Sequence, residues 1–215
     1  MRASGIILAA GRSERFGQDK IFSELRGAPV LLHSVRAFLE AGVVEELVVV
    51  ARPGTEFRVA SLLQDLDFPV KVVTGGRRRR DSSLAGVEAS QGEFVLIHDA
   101  ARPLVSPDLI RRVLASAEAH GAAVPVLPVV DTLRYVEDGF LKPKALPRAG
   151  LVAMQTPQGF RRDLLLPALR EADEDLPDDA AALLARGIPV AAVPGDPKNL
   201  KITYPEDIGL LSRLL

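Results

Sequence analysis

The chain contains no cysteine. That absence excludes disulfides, thiolate nucleophiles and cysteine-based metal sites, and it suits a reducing, cytoplasmic compartment. No apolar run approaches the roughly 20 residues that span a bilayer. The apolar segment at residues 4–8 runs straight into a charged loop and is too short for a secretory leader. Histidine is scarce, with three in the chain. Neither a serine–histidine pairing signature nor zinc-ligand spacing is present. A formal net charge of −1 argues against broad electrostatic binding to nucleic acid or to an anionic membrane. What is there is an ordinary globular composition, 47% hydrophobic and 26% charged over 215 residues, which predicts a single α/β domain, residues 1–215, with a substantial core.

The most informative stretch is Leu8-Ala9-Ala10-Gly11-Arg12-Ser13-Glu14-Arg15-Phe16-Gly17-Gln18-Asp19-Lys20. Its small residues let backbone approach a ligand closely. Arg12, Arg15 and Lys20 place three cations beside backbone N–H groups at the end of a predicted strand, which is the inventory of a polyphosphate cradle. No Gly-Lys-Ser/Thr closes the loop, and its glycine spacing is not the dinucleotide fingerprint. A strand-to-helix connection with solvated arginines is the plainer alternative.

Further along, nearly all-apolar strands alternate with amphipathic helices. The pattern predicts strands near 4–8, 46–51, 70–74, 94–97, 122–130 and 190–193, with helices at 29–39, 55–66, 106–120 and 161–172. This rhythm predicts a mostly parallel, Rossmann-like sheet with helices on both faces, whose ligands lie beyond the carboxyl ends of the strands. The loops there are Gly75-Gly76-Arg77-Arg78-Arg79-Arg80-Asp81-Ser82 and His98-Asp99-Ala100-Ala101-Arg102-Pro103. Asp81 or Ser82 is expected to cap the following helix. Asp99 can orient a hydroxyl or approach a metal and Arg102 can hold an anion, or the two simply brace their loop as an ion pair. Glu137-Asp138-Gly139 between short apolar runs signals a projecting β-hairpin at about 131–150, either a dimerisation arm or a flap. The acidic run 173–179 reads as solvated surface, 199–203 as a final strand, and Thr203-Tyr204-Pro205-Glu206 as a capping box.

Cations, small residues and a few carboxylates at one end of a parallel sheet suit phosphoryl or nucleotidyl transfer, in which the protein positions and neutralises. The loop from Leu8 to Lys20, Gly75-Gly76 with Ser82, the His98–Pro103 segment, Asp131-Thr132, Thr156-Pro157-Gln158 and the segment Asn199 to Asp207 together resemble the 2-C-methyl-D-erythritol 4-phosphate cytidylyltransferase family of nucleotidyltransferases. The resemblance implies CTP and a polyol phosphate as substrates, a divalent cation such as Mg²⁺, and a homodimer formed through the arm. It implies that Arg15 and Lys20 stabilise the transition state and that Ala9, Ala10, Gly11, Gly76 and Ser82 bind the nucleotide. Asp99, Arg102, Thr132, Arg148 and Lys201 would place the second substrate, part of that site coming from a neighbouring subunit. No residue is assigned as a direct metal ligand. Three positions depart from the family pattern. Asp19 stands where proline is common and sets a carboxylate beside Lys20. Arg77 replaces an acidic residue, and Pro177 replaces a threonine. The ribitol-5-phosphate and molybdenum-cofactor nucleotidyltransferases share part of the pattern, and a catalytically silent nucleotide-binding regulator would share the cradle.

Overall fold

A computed structural model describes residues 2–11, 16–17, 19–172 and 176–215. In chain order its strands and helices are β1 Ala3–Ala9, β2 Glu24–Leu25, β3 Ala28–Pro29, α1 Val30–Ala41, β4 Glu46–Ala51, α2 Glu56–Leu63, β5 Val70–Thr74, α3 Arg79–Ala89, β6 Phe94–Asp99, α4 Pro107–His120, β7 Ala122–Pro128, β8 Arg134–Glu137, β9 Phe140–Ala145, β10 Val152–Met154, β11 Gln158–Arg161, α5 Arg162–Glu171, α6 Ala180–Leu184, β12 Ala191–Pro194 and α7 Glu206–Leu214. The main sheet runs β10-β7-β11-β6-β1-β4-β5, with β12 also paired to β7. Strands β1, β4, β5 and β6 are mutually parallel, whereas β10 and β11 run antiparallel to their neighbours. Antiparallel entry follows from the connection: the chain leaves β7 at one end of the sheet and returns from that same end without a crossover helix.

Two-residue periodicity divides the core between the faces of this sheet. Ile7, Leu47, Val49 and Leu96 face one side and pack with Phe38 of α1 and with Leu109, Ile110 and Val113 of α4. Ile6, Val48, Val50, Val95 and Ile97 face the other, against Val87 of α3 and Leu165 and Leu169 of α5. Helix α4 opens where Ser106 Oγ accepts the Leu109 amide at 3.2 Å and ends at Gly121, at φ 85°. The predicted hairpin forms as β8–β9 around Asp138 and Gly139, at φ 51° and 80°, a pair of left-handed residues that matches the strand twist.

Three local expectations change. Residues 199–203 do not pair as a strand. The Asn199 and Leu200 amides bond to Asp196 and Lys198 within turns, and only the Ile202 amide reaches across, to Ala101 O at 2.8 Å. The start of α7 is capped by Asp207 rather than Glu206: its Oδ2 accepts from the Thr203 and Tyr204 amides at 2.7 and 2.8 Å. Helix α3 begins at Arg79, ahead of both expected caps, and Asp81 lies inside its first turn, reaching back to accept the Arg78 amide at 3.2 Å.

Phe38 is fully buried and Phe57 is 87% exposed. Phe38→Ala is therefore expected to lower unfolding free energy by about 3–5 kcal/mol, and Phe57→Ala by no more than about 0.5 kcal/mol, as read from urea denaturation.

Candidate functional site

Beyond the carboxyl ends of β1, β4, β5 and β6 lies a cavity of about 560 Å³. Strand β1 has β4 on one side and β6 on the other. The connections therefore diverge above it, the place where an open parallel sheet leaves a crevice. One wall consists of Ala9, Ala10 and Gly11 after β1, with Gly75 and Gly76 after β5. The glycine pair is required by close approach. A Cβ on Gly75 would lie 2.6 Å from Ala10 Cβ and 2.7 Å from Ser82 Oγ, and one on Gly76 would lie 2.2 Å from Asp81 Cβ. The Gly76 amide donates to Ser82 Oγ at 3.2 Å, tying this wall to the first turn of α3.

Much of the remaining lining is charged. Lys20 lies in a 3-10 turn, Lys20–Phe22, and its Nζ donates to Ile202 O at 2.9 Å. Arg52, Arg77, Arg78, Arg79, Asp99 and Lys201 complete the rim. Asp99, at the end of β6, is the focus of a cation cluster: Lys201 Nζ lies 2.8 Å from Oδ2, Arg79 3.6 Å from Oδ1 and Arg102 Nε 3.8 Å from Oδ2. Burial pushes the Asp99 carboxyl up, but Lys201, Arg79 and Arg102 outweigh it and hold the group well below the usual carboxylate range. Arg102 also donates to Asn199 O at 2.8 Å, which fixes the terminal segment that carries Lys201.

The acidic run read as solvated surface is corrected at its end. Asp179 is 1% exposed and stands 2.8 Å from Arg79 Nη1, at the head of α6. Burial drives its carboxyl up, with Arg79 opposing. Burial likewise disfavours the Arg79 charge, yet Asp179 and Asp99 together raise its pKa. Arg79 thus bridges the cavity carboxylate to a second, buried one. In the sequence it is one of four consecutive arginines, and only its place as the first residue of α3 sets it apart.

Behind Asp99, His98 is fully buried against Phe38. Arg102 O, 3.1 Å from His98 Nε2, can only accept, so Nε2 carries the proton and the neutral ring accepts at Nδ1 from the Thr156 hydroxyl, 3.0 Å away, whose oxygen accepts the Asp99 amide at 3.1 Å. These bonds select the Nε2–H tautomer of the neutral ring. Burial lowers the imidazole pKa to about 4.

The structure therefore brings Ala9, Ala10, Gly11, Gly76, Ser82, Lys20, Asp99 and Lys201 to one cavity, with Arg102 directly behind it. Arg15 lies outside the described residues. Thr132 and Arg148 do not line the cavity; both are exposed at the base of the arm, where Arg148 donates to Val130 O. Among the described residues no group of three histidine or acidic side chains is placed to hold a metal, and Asp99 is the one carboxylate in the cavity lining.

Comparison with known proteins points one way. Residues 4–215 match the family model of IspD, 2-C-methyl-D-erythritol 4-phosphate cytidylyltransferase. The chain is 41% identical to the protein of that name from Acidobacterium capsulatum, over 98% of this chain and 95% of the relative. It is 40% identical to the bifunctional enzyme IspD/IspF of Anaeromyxobacter sp., of which it spans 57%. The crystal structure of 2-C-methyl-D-erythritol 4-phosphate cytidylyltransferase from Thermus thermophilus superposes with a TM-score of 0.83 at 35% identity, covering 97% of this chain and 96% of that one.

The neutral state of His98 has a measurable consequence. Below its ordinary pKa of about 6.5 the unfolded chain takes up a proton that the folded chain refuses down to about 4, so stability falls with pH across that window. Between pH 7 and 5 His98 is expected to contribute a loss of about 2 kcal/mol. His98→Gln should flatten the dependence of urea-derived stability on pH by that amount; an equal slope in both proteins would remove His98 as its source.

Proposed function

The chain belongs to the 2-C-methyl-D-erythritol 4-phosphate cytidylyltransferase family, and from that membership we propose that it transfers the cytidylyl group of CTP to 2-C-methyl-D-erythritol 4-phosphate. A phosphate oxygen of the polyol phosphate attacks the α-phosphorus of CTP. The bond from that phosphorus to the bridging oxygen of the β-phosphate breaks, yielding 4-diphosphocytidyl-2-C-methyl-D-erythritol and pyrophosphate. The observation that carries this reading is a cavity with a small-residue backbone wall on one side and Lys20, Lys201 and the Asp99 cluster on the other.

The wall of Ala9, Ala10, Gly75 and Gly76 suits a flat base held by backbone groups, since its small residues leave backbone exposed to a ligand and a Cβ on either glycine would push against Ala10, Ser82 or Asp81. Lys20, beside Gly11, is in reach of a triphosphate that enters over β1, where charge builds on the α-phosphate and on the leaving pyrophosphate. Arg15, on the same loop, is assigned the same role. Lys201 and Arg102, set by their bonds to Asp99 and Asn199, are poised to hold the polyol phosphate as an aligned nucleophile. Asp99, its charge maintained by three cations, is placed to accept a substrate hydroxyl.

Mg²⁺ fits this site as an ion that arrives with the nucleotide: its ligands would be phosphate oxygens and water, with Asp99 as the nearby carboxylate. When bound it would neutralise charge on the triphosphate. The arm supports a homodimer. Tyr135, Val136, Phe140 and Leu141 are all more than half exposed on β8 and β9, an apolar surface that the chain's own core leaves uncovered. In that dimer Thr132 and Arg148 would complete the polyol-phosphate site of the neighbouring subunit. A cytoplasmic location accords with the cysteine-free composition, and among the described residues no helix is long and apolar enough to cross a membrane.

The deciding assay is pyrophosphate release from CTP with 2-C-methyl-D-erythritol 4-phosphate, run beside CTP with ribitol 5-phosphate. Turnover with the first and little with the second is expected; the reverse would move the chain to a different substrate. Lys20→Ala and Arg15→Ala are expected to lower kcat on the order of 100- to 1,000-fold while CTP KM moves only a few-fold. Loss of CTP affinity with kcat preserved would remove both from the transition state.

A further inference from the structure

Asp19 sets a carboxylate one residue from Lys20, and left alone it would oppose the lysine's field at a phosphate. It is not alone. Arg52, at the end of β4, places Nη2 2.5 Å from Asp19 Oδ2, in a pair whose carboxylate side chain is 17% exposed. Arg52 is itself held in place: its carbonyl accepts from the Thr55 amide at 2.9 Å and from Thr55 Oγ1 at 2.8 Å, just before α2. On the far side of the same turn the Arg58 guanidinium of α2 stands 3.7 Å over the Phe22 ring, a stacking that adds attraction without a second carboxylate. Between these two clasps Ile21 is buried, and the Phe22 amide closes the turn on Asp19 O at 3.0 Å. The β4–α2 unit therefore grips the Lys20 turn on both flanks.

We propose that Arg52 is a positioning residue for the transfer reaction: by pairing with Asp19 it cancels the carboxylate beside Lys20 and holds the turn so that the ammonium faces the triphosphate. The inference rests on the cytidylyltransferase reading above. Asp19 and Arg52 form a matched pair, in which the acidic residue is tolerated because the arginine answers it. A unit charge left unpaired within several ångströms of a developing charge is worth about tenfold or more in rate.

The test is a double-variant cycle on the full chain with CTP, Mg²⁺ and 2-C-methyl-D-erythritol 4-phosphate. Arg52→Leu is expected to lower kcat about tenfold with CTP KM changed less than about threefold. Adding Asp19→Asn to Arg52→Leu should restore kcat to within about threefold of the parent, because removing the carboxylate removes the need for its partner. Arg52→Lys should fall between, keeping the charge but losing the planar fork. A double variant no faster than Arg52→Leu would overturn the proposal and make Arg52 a direct phosphate ligand. A loss seen in CTP KM alone would overturn it as well. Should Arg52→Leu not fold, the exchanged pair Asp19→Arg with Arg52→Asp decides the matter: activity well above that of Arg52→Asp alone supports the pairing, and equal activity refutes it. Turnover by the parent with no recovery in either double variant defeats the pairing and leaves the function standing, whereas no turnover by the parent defeats both.

Discussion

One carboxylate, Asp99, draws cations from three parts of the chain to a single point. Lys201 comes from the terminal segment, Arg79 from the start of α3 and Arg102 from the loop after β6. In so buried a setting an isolated carboxylate would take up a proton; here three cations keep it charged, and its charge in turn permits three cations to crowd one end of a sheet. The balance makes a site that is cationic toward a substrate yet internally compensated. Removing Asp99 leaves Arg102, whose side chain is 13% exposed, without its carboxylate, which costs more than the pair itself contributes.

Around that centre one wall of the cavity is closely packed and the other carries charge. Gly75 and Gly76 bring the end of β5 against Ala10 and α3 so closely that no side chain fits. On and behind the opposite rim three cations are tied to the protein: Lys20 to Ile202 O, Arg102 to Asn199 O, Arg79 to Asp179. Such ties pre-order long side chains before substrate arrives, which is what a transfer reaction that depends on alignment requires. His98 and Thr156 extend the order one layer deeper by fixing the Asp99 amide and the Arg102 carbonyl through a single directed chain of hydrogen bonds.

Much of this was legible in the residues themselves. The apolar runs at β4 and β5 coincide with the observed strands, and Ser106 and Gly121 bracket α4 as a capping serine and a left-handed glycine should. The hairpin turn at Asp138-Gly139 was equally plain. Residues 199–203 misled because their β-like composition is overridden by local turns at Asp196 and Lys198. The cap of α7 went to Asp207 rather than Glu206 because only the shorter side chain, one position on, accepts both free amides. Asp179 reads as one more solvated acid in a run of them; its burial comes with the packing of Ala180, Ala182 and Leu183 of α6 into the core and with its pairing to Arg79, which no spacing in the sequence announces.

The order of residues alone determined the alternation of strands and helices, the small-residue loop after β1 and the class of chemistry, since these rest on local periodicity and on residue type. Tertiary structure alone decided which distant charges meet, whereas the Asp99–Arg102 pair, three residues apart, was already open to the sequence. Asp19 finds Arg52 33 positions away and Asp99 finds Lys201 102 positions away, because an ion pair is chosen by how elements pack and by how dry the resulting space is, and neither is a property of any short stretch of chain.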